Sequence, residues 1–455
     1  MNDVQHTMLR WHLFPGDNME AVALLICGRR NGTHHHIFTV RKVIPVPYDL
    51  CRRSRDQVTW STQILDSIMA EIYQKGCAIV KVHSHVDGLR AFSATDDRSD
   101  QDILASVGML LGDDLPHGSM VMLPDGELFG RVIQNGNIID DLFSVSAVGD
   151  DLRVWRRVAT HHNDRVSQRH TQAFGSETIG ILKSLSIAVI GCSGTGSVVI
   201  EQLARLGVGR LVLVDPERVE DKNLNRILNS GKEDAHLQRP KVHVLAAAIA
   251  RMGFGQEVLP LQANIVEKEA VKAVAECDVI FGCMDGVEGR HMLNRLATFY
   301  CMPYFDVGVR LDADGKGGIS NIAGAVHYVQ PGRSSLFSRG VYTIQEVEIE
   351  SLRRTAPEIY KRQRNEGYLR GVQEDRPAVI SVNMFFASLA VNEFLARLHA
   401  YRNQTNAEYA YVGGSLAEMQ FYLERDSNIC SLLFPHVGRG DVEPLLERPS
   451  FHEIN

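Results

Sequence analysis

Two stretches of this chain carry residue types that do chemistry. In "KVHSHVDGLRAFSATDD" (81–97), His83 and His85 are separated by one residue. Ser93 follows after seven more, and Asp96 lies three further on. Side chains at i and i+2 of a strand point the same way, so both imidazoles can face one ion, with Asp96 as a third ligand. Three protein ligands leave a fourth position open, the ligand count of a hydrolytic Zn2+ centre. Such a centre also needs a base for the attacking water and a donor for the developing oxyanion. Ser93 is the candidate donor. Glu20, just before the apolar run "AVALLICG", is the candidate base; Glu71, inside a helical pattern, is its rival.

The second stretch, "VIGCSGTGS" (189–197), sets Gly191, Gly194 and Gly196 where a strand turns into a helix. Without side chains there, the backbone can approach a phosphate, and the helix N-terminus favours its negative charge. Asp215 closes the next strand, where an acid commonly binds ribose hydroxyls. This much suits a dinucleotide site equally. Downstream stand Asn223 and Arg226 in "DKNLNRI", Lys241 in "RPKV" and Asp285 in "FGCMDGVEGR". Hydride transfer has no evident need for them. Adenylation does: cations neutralise the charge that builds up when a carboxylate attacks an α-phosphate, and an acid at a strand end holds Mg2+.

These residues need elements to place them. "EAVALLICG", "HHHIFTVRKVIPV" and "CAIVKVHSH" are short and rich in branched apolar residues, which predicts strands, with the histidines at the exit of the third. "STQILDSIMAEIYQK" has helical apolar spacing behind a serine cap, "SDQDILASVGMLLG" predicts a second helix, and "GSMVMLP" with "GELFGRVI" a hairpin. Together they predict an α/β domain over 1–150. Residues 151–178 are polar and basic and read as a linker plus an entry helix. From 179 the order "LSIAVIG", glycine loop, "SVVIEQLARLG", "GRLVLVD" is the repeating unit of a parallel, doubly wound sheet. Further strands are expected at "QEVLPLQANI", "CDVIFGCMD", "MPYFDVGV" and "AGAVHYVQPG". A charged stretch beginning "VEIESLRRTAPEIYKRQRNEG" interrupts them before the helix "SVNMFFASLAVNEFLARLH". The fold class is therefore α/β, with a Rossmann-like doubly wound domain over 179–455.

A chain of 455 residues is too long for one ordinary domain. Its 44% hydrophobic and 23% charged residues are those of a soluble globular protein. A net charge of -7 makes no electrostatic case for nucleic acid as a partner. No apolar run is long enough to span a bilayer, and "MNDVQHTMLRWHLF" lacks a signal-peptide core, so a cytoplasmic location is expected. The eight cysteines include no Cys-x-x-Cys pair, which argues against a disulfide framework and a four-cysteine zinc site.

The first motif resembles that of the JAB/JAMM metalloproteases: His-x-His, seven residues, Ser-x-x-Asp, and a glutamate far upstream. The resemblance covers roughly residues 9–139, with Val86 where proline is usual. It implies a JAB/MPN-like domain holding Zn2+ on His83, His85 and Asp96. Glu20 and Ser93 would assist cleavage of peptide or isopeptide bonds at the C-terminus of a ubiquitin-like protein. Residues 165–398 resemble the ThiF/MoeB-type enzymes of the ubiquitin-activating superfamily, which use ATP and Mg2+ to adenylate the C-terminal glycine of a ubiquitin-like protein. The resemblance implies Asp215 on ribose, Asn223, Arg226 and Lys241 on phosphates, and Asp285 on Mg2+. "RHTQAFG" resembles the family's entry helix, whose arginine reaches the partner subunit's nucleotide; this maps to Arg169 and implies a homodimer. Ser193 stands where glycine is usual and Ile227 where glutamine is usual.

Many relatives carry two Cys-x-x-Cys pairs for a structural zinc and a catalytic cysteine further on. Here the first pair is replaced by Ser335 and Ser338, and of the second Cys430 remains, with Leu433 in its partner's place. Serine and leucine do not hold zinc in this way, so no second zinc is expected. Residues 308–412 contain no cysteine, Cys301 reads as a packing residue, and at Cys192 the backbone rather than the thiol would act. Three routes stay open after adenylation: direct transfer of the acyl-adenylate to a partner, an oxyester on Ser334, Ser335, Ser338 or Thr343, or a thioester on Cys301 or Cys430. Direct transfer is favoured, because a hydroxyl without a neighbouring base is a poor nucleophile.

Read together, the halves predict a bifunctional enzyme of a bacterial-type ubiquitin-like conjugation pathway, with a conjugating enzyme as partner. The alternatives are sulfur-carrier activation for cofactor synthesis and a nucleotide-sensing scaffold with an inactive peptidase.

Overall fold

Asn2 opens the first helix, α1 (Asp3–Leu13), in a reciprocal capping box with Gln5. No helix is predicted here from the sequence. Strands β1 (Val22–Asn31) and β2 (His36–Pro45) follow, then the short hairpin β3 (Cys51–Arg53) and β4 (Val58–Trp60), α2 (Gln63–Lys75) and β5 (Ala78–Ser84). The first part continues with α3 (Ala94–Leu111), β6 (His117–Met122), β7 (Leu128–Gln134), β8 (Asn137–Asp141), β9 (Ser144–Val148) and β10 (Leu152–Arg156). This computed structural model describes residues 1–32, 35–112, 114–156, 165–313, 316, 318–365, 377–426 and 428–451.

Six of these strands form one sheet, ordered β2-β1-β5-β6-β7-β8, in which β5 and β6 are parallel and the other pairs antiparallel. The run "AVALLIC" is uninterrupted because β1 is covered on both faces. Ala23, Leu25 and Cys27 pack in one core with Leu9 and Leu13 of α1. Val22, Leu24 and Ile26 pack in the other with Ile68 and Ile72 of α2 and Leu104 and Val107 of α3. Three local expectations are corrected. The N-cap residue of α2 is Thr62 rather than a serine, and it makes no side-chain cap bond. α3 starts at Ala94 instead of Ser99, because Ser93 and Asp96 form a capping box. β10 pairs with β9 where a linker was expected; the expected linker residues 157–164 lie outside the described residues.

The second part comprises α4 (Gln168–Ser184, broken at Gly175), β11 (Ser186–Ile190), α5 (Gly194–Arg205), β12 (Arg210–Val214), α6 (Lys232–His236), α7 (Lys241–Met252) and β13 (Glu257–Leu261). α8 (Lys268–Val274), β14 (Val279–Gly282), α9 (Val287–Phe299), β15 (Tyr304–Ala313) and β16 (Ile319–Val329) come next. It ends with α10 (Ile344–Thr355), α11 (Pro357–Asn365), α12 (Ile380–Leu398), β17 (Tyr411–Ser415) and β18 (Gln420–Glu424). The sheet order is β13-β12-β11-β14-β15-β16-β17-β18. β13 to β15 are parallel, as a doubly wound fold requires. The antiparallel extension β16–β18 was legible only in its first strand. No helix among the described residues is long and apolar enough to cross a membrane.

By contact density the chain divides into two units. One holds Met1–Thr160, Phe299–Cys301 and the residues from His436 onward; the other holds His161–Thr298 and Met302–Pro435. The C-terminal segment joins the first unit through its backbone. The Gly28 N–H donates to the Gly438 carbonyl at 3.2 Å and the Asp441 N–H to the Arg29 carbonyl at 2.6 Å. Arg30 pairs with the Asp441 carboxylate at 3.2 Å, and the Tyr300 hydroxyl donates to it at 2.7 Å.

Candidate active sites

Strand pairing builds the first site. In the β1–β5 ladder Val22 lies opposite His83, and beyond it the Ser84 N–H donates to the Ala21 carbonyl at 3.1 Å. Continuing that register sets Glu20 across from His85, on the face that carries both imidazoles. α3 supplies Asp96 from its first turn. His83 Nε2 and His85 Nε2 lie 3.2 Å apart, and His83 Nε2 lies 3.1 Å from Asp96 Oδ1. Among the described residues this is the cluster whose ligand atoms all lie within 4.8 Å of one another. Two ligand atoms about 2.0–2.1 Å from a tetrahedral Zn2+ are roughly 3.3 Å apart, so the spacing fits that ion. The Leu89 carbonyl lies 2.8 Å from His85 Nδ1, which fixes the tautomer and leaves Nε2 as a lone-pair donor. His83 Nδ1 is buried without a hydrogen-bond partner among the described residues.

Glu20, His83, Ser93 and Asp96 line one cleft, together with Lys81, Asp56, Trp60, Thr95 and Ser99. Glu20 is 6% exposed. Burial, with the nearby charges of Asp96, Asp87 and Asp56, pushes its carboxyl up to about 7, against the pull of His85. A carboxylate near neutrality can take and return a proton. Glu71 answers to a different environment: ion pairs with Lys42 (2.7 Å) and Lys75 (2.8 Å) hold it down at about 2. Burial lowers His83, while Asp96 and the Leu89 carbonyl outweigh burial and raise His85. Although burial opposes it, the two imidazoles hold Asp96 far below the usual carboxylate range. The Ser93 hydroxyl donates to Asp96 Oδ2 at 2.7 Å and accepts from the Asp96 N–H, so it also caps α3.

A buried ionic network beneath the cleft escaped the sequence reading. Lys81, two residues before His83, pairs with Asp100 of α3, and Arg131 of β7 pairs with Asp97 and Asp100. The Arg131 guanidinium lies 3.8 Å from the centroid of Phe92. Asp96, Asp97 and Asp100 share the N-terminal turns of α3, so this network fixes the helix that carries the third ligand. Its one visible signal was a lysine inside the apolar strand "CAIVKV".

The second site forms where β11, β12 and β14 end. Gly191 has φ +90°, and a Cβ on it would come within 2.6 Å of the Cys283 carbonyl oxygen. A Cβ on Gly196 would overlap the Gly191 carbonyl. Arg226 Cδ and the Asn383 side chain flank Gly194; Asn383, 5% exposed on α12, was not anticipated. Asp215 accepts the Cys192 N–H at 2.6 Å and the Glu217 N–H at 2.8 Å. Burial raises its carboxyl against the pull of Lys241 and of these backbone bonds. Lys241 is 1% exposed and pairs with Glu217, an ion pair that sequence could not reveal. Asn223 Oδ1 accepts the Glu220 N–H at 3.1 Å, and Arg226 donates to the Lys222 carbonyl at 2.8 Å. Asp285 is exposed just beyond β14, where Arg290 of α9 interacts with it electrostatically. Arg169 is exposed on α4 and donates to Gln172 at 3.3 Å; these contacts do not bring it to the glycine loop.

The candidate acyl acceptors are occupied or covered. Ser334 is 1% exposed, donates to Asp426 and accepts from Arg339 Nε at 2.8 Å. Ser335 and Ser338 hydrogen-bond to each other's backbone N–H at 3.2 and 2.9 Å. Thr343 caps α10. The Cys430 N–H donates to the Arg333 carbonyl at 3.1 Å, so the two segments that hold zinc in many relatives do meet. Here Cys430 and Leu433 pack at 1% and 3% exposure. Burial raises the thiols of Cys301 and Cys192.

Comparison with known proteins finds the ThiF family model matching residues 167–430 and the model for prokaryotic homologs of the JAB domain matching residues 5–132. The SAMP-activating enzyme E1 of Haloferax volcanii is 33% identical over 129 residues, 28% of this chain and 47% of that protein. Ubiquitin-like modifier-activating enzyme 5 of Culex quinquefasciatus is 25% identical over 190 residues, 38% of this chain and 45% of that protein. The chain thus spans about half the length of these curated relatives. Among solved structures, E. coli MccB with MccA-N7isoASN is similar at 18% identity and a TM-score of 0.47, over 60% of this chain and 75% of that one.

Proposed function

The chain belongs to the ThiF family and carries a JAB domain before it, and on that premise we propose a two-activity enzyme of ubiquitin-like protein conjugation. One activity hydrolyses the peptide or isopeptide bond after a carrier's C-terminal glycine. The other adenylates the glycine that is released. The observation that carries the first is the cluster of His83, His85 and Asp96, of which His83 and Asp96 line one cleft with a buried Glu20. His83, His85 and Asp96 would hold Zn2+, which when bound supplies Lewis acidity and a low-pKa water. Glu20 takes the proton of the attacking water and returns it to the leaving amine as the C–N bond breaks. Ser93 turns its hydroxyl proton from Asp96 to the substrate's carbonyl oxygen as negative charge develops there.

In the second site a carboxylate oxygen of the carrier attacks the α-phosphorus of ATP, and pyrophosphate leaves as the bond to the bridging oxygen breaks. The glycine loop and the α5 N-terminus favour the phosphates, Asp215 the ribose, and Asp285 would hold Mg2+. Asn223, Arg226 and Lys241 balance the charge. Lys241 exchanges Glu217 for phosphate at little cost, because the Glu217 side chain is 69% exposed. Arg169 acts on the nucleotide of a second copy in a homodimer. With every candidate hydroxyl engaged and the thiols buried, the thiol of a conjugating enzyme attacks the carbonyl of the acyl-adenylate, and AMP leaves as the thioester forms on that partner. Metal analysis of wild type and His83→Ala tests the first reading. Wild type is expected to hold a single equivalent of zinc and to cleave a ubiquitin-like fusion, and His83→Ala to do neither. Equal zinc in both proteins would sink it.

A further inference from the structure

Helix α10 has no buried residue, so apolar burial does little to hold it in place. Its attachment is polar, and it falls on the turn that carries Asp285. Glu350 accepts the Glu288 N–H at 2.8 Å, one of the open donors of the first turn of α9. Arg354, one helical turn further along α10, grips the Glu288 carboxylate with both Nε (2.9 Å) and Nη2 (2.8 Å). Glu288 is itself 5% exposed. Between Asp285 and Glu288 stands Gly286, where a Cβ would collide with Glu350 Oε1, so the carboxylate lies directly on the turn's backbone. From beneath, Arg290 of α9 couples electrostatically to Asp285 and donates to the buried Asp306 at 3.1 Å; the Tyr304 hydroxyl donates to Asp306 as well. The Asp285 turn is therefore clamped between an internal ion pair and a surface helix that polar contacts can release.

We propose that α10 is a lid latched across the Asp285 turn, with Glu350 as the positioning residue that fixes the turn's backbone for a metal–nucleotide. The proposal rests on the adenylation reading for its metal and nucleotide, but the latch itself does not. An acid on the first turn of a helix is favourable and local, so its removal loosens the turn without emptying a core. Release of α10 would loosen the turn that carries the exposed Asp285 for loading; closure would fix its backbone and so the direction of its carboxylate.

The full chain is the test object, and it needs no carrier. Hydrogen–deuterium exchange is read on peptides spanning 285–291 and 344–355, and ATP binding is titrated with and without Mg2+. Glu350→Ala is expected to speed exchange in both peptides at least tenfold, and Arg354→Ala to do so in α10. Glu350→Ala should also cut the gain in ATP affinity that Mg2+ confers at least fivefold, leaving Mg2+-free affinity unchanged. Glu350→Gln retains an acceptor, is the milder change for folding, and should fall between. Wild-type protection in both alanine variants overturns the latch. Faster exchange with an unchanged Mg2+ effect overturns the positioning role. A wild type that binds no ATP overturns the adenylation reading, and the positioning role with it, while exchange alone then decides the latch.

Discussion

A base for the proposed hydrolysis must bind a proton strongly enough near neutral pH to take it from water, and must reach the water between the candidate ligands. Glu20 lines one cleft with His83 and Asp96, and burial raises it to about 7. Glu71, held at about 2 by two lysines, is ionised at neutral pH but too weak a base to keep the proton it takes. Glu20→Gln is therefore expected to retain zinc and lose roughly 10²–10⁴-fold in cleavage rate, with Glu71→Gln near wild type. Zinc content and hydrolysis of a ubiquitin-like fusion are measured on the same preparations. Full activity in Glu20→Gln would return the assignment of the base to the remaining acids of the cleft. The three candidate ligands were readable because their spacing is local: a strand exit and a helix start, joined by one loop. The sequence put Glu20 ahead of Glu71; what it could not show is the β1–β5 register, a contact between residues some sixty positions apart that sets Glu20 across from His85.

At the scale of the element, β6 carries a histidine that the cleft does not use. His117 is 2% exposed, and its Nδ1 accepts the Ile79 N–H of β5 at 3.1 Å, so the ring is neutral there. Burial, reinforced by Arg29 and His36, lowers it to about 3, whereas an exposed imidazole titrates near 6.5. Above about pH 6.5 the folded and unfolded states are both unprotonated at this site, and its contribution is complete. As pH falls from there toward 3, the unfolded chain binds a proton that the folded one refuses. Stability should then drop by up to about 1.4 kcal/mol per pH unit. Urea midpoints of metal-free wild type and His117→Gln at pH 7, 6 and 5 check this. The wild-type decline should be the steeper, and parallel curves would count against it. The helix that α3 became also belongs here. Its Ser-x-x-Asp start is a metal-site motif and a capping box at once, and reading only the first meaning placed the helix start at Ser99 rather than Ala94.

For the whole molecule, each unit has its own site, so the two activities should separate by mutation. Asp285→Ala is expected to abolish carrier-dependent exchange of pyrophosphate into ATP and to spare cleavage. Arg169→Ala should slow exchange, and mixing it with Asp285→Ala should restore part of it if the arginine serves the other subunit's nucleotide. An absence of rescue in fully exchanged mixed dimers would place its action within one chain. With ATP and a mature carrier, no covalent enzyme–carrier band should accumulate on denaturing gels of the Glu20→Gln protein. A band lost with reducing agent and in Cys301→Ala or Cys430→Ala would identify a thiol acceptor. One that resists reductant but yields to hydroxylamine would identify an oxyester.

The sequence by itself determined the chemistry on offer. Candidate metal ligands, candidate phosphate loops and parallel-sheet units are encoded in short spacings, so His83, His85, Asp96 and the glycines at 191, 194 and 196 could be singled out from the sequence. It also determined the parallel strands from β11 to β15, each an apolar run between turn signals. Tertiary structure alone decided what depends on distant partners. It set Glu20 in the cleft and Glu71 between two lysines, joined Lys81 and Arg131 through Asp100, paired Lys241 with Glu217, and brought Asn383 to the glycine loop. It placed the segment from His436 in the first unit. The physical reason is the same in each case: a charge or a backbone edge is neutral as to partner until burial removes water, and which groups are then left facing each other is set by register and packing, not by neighbours in the chain.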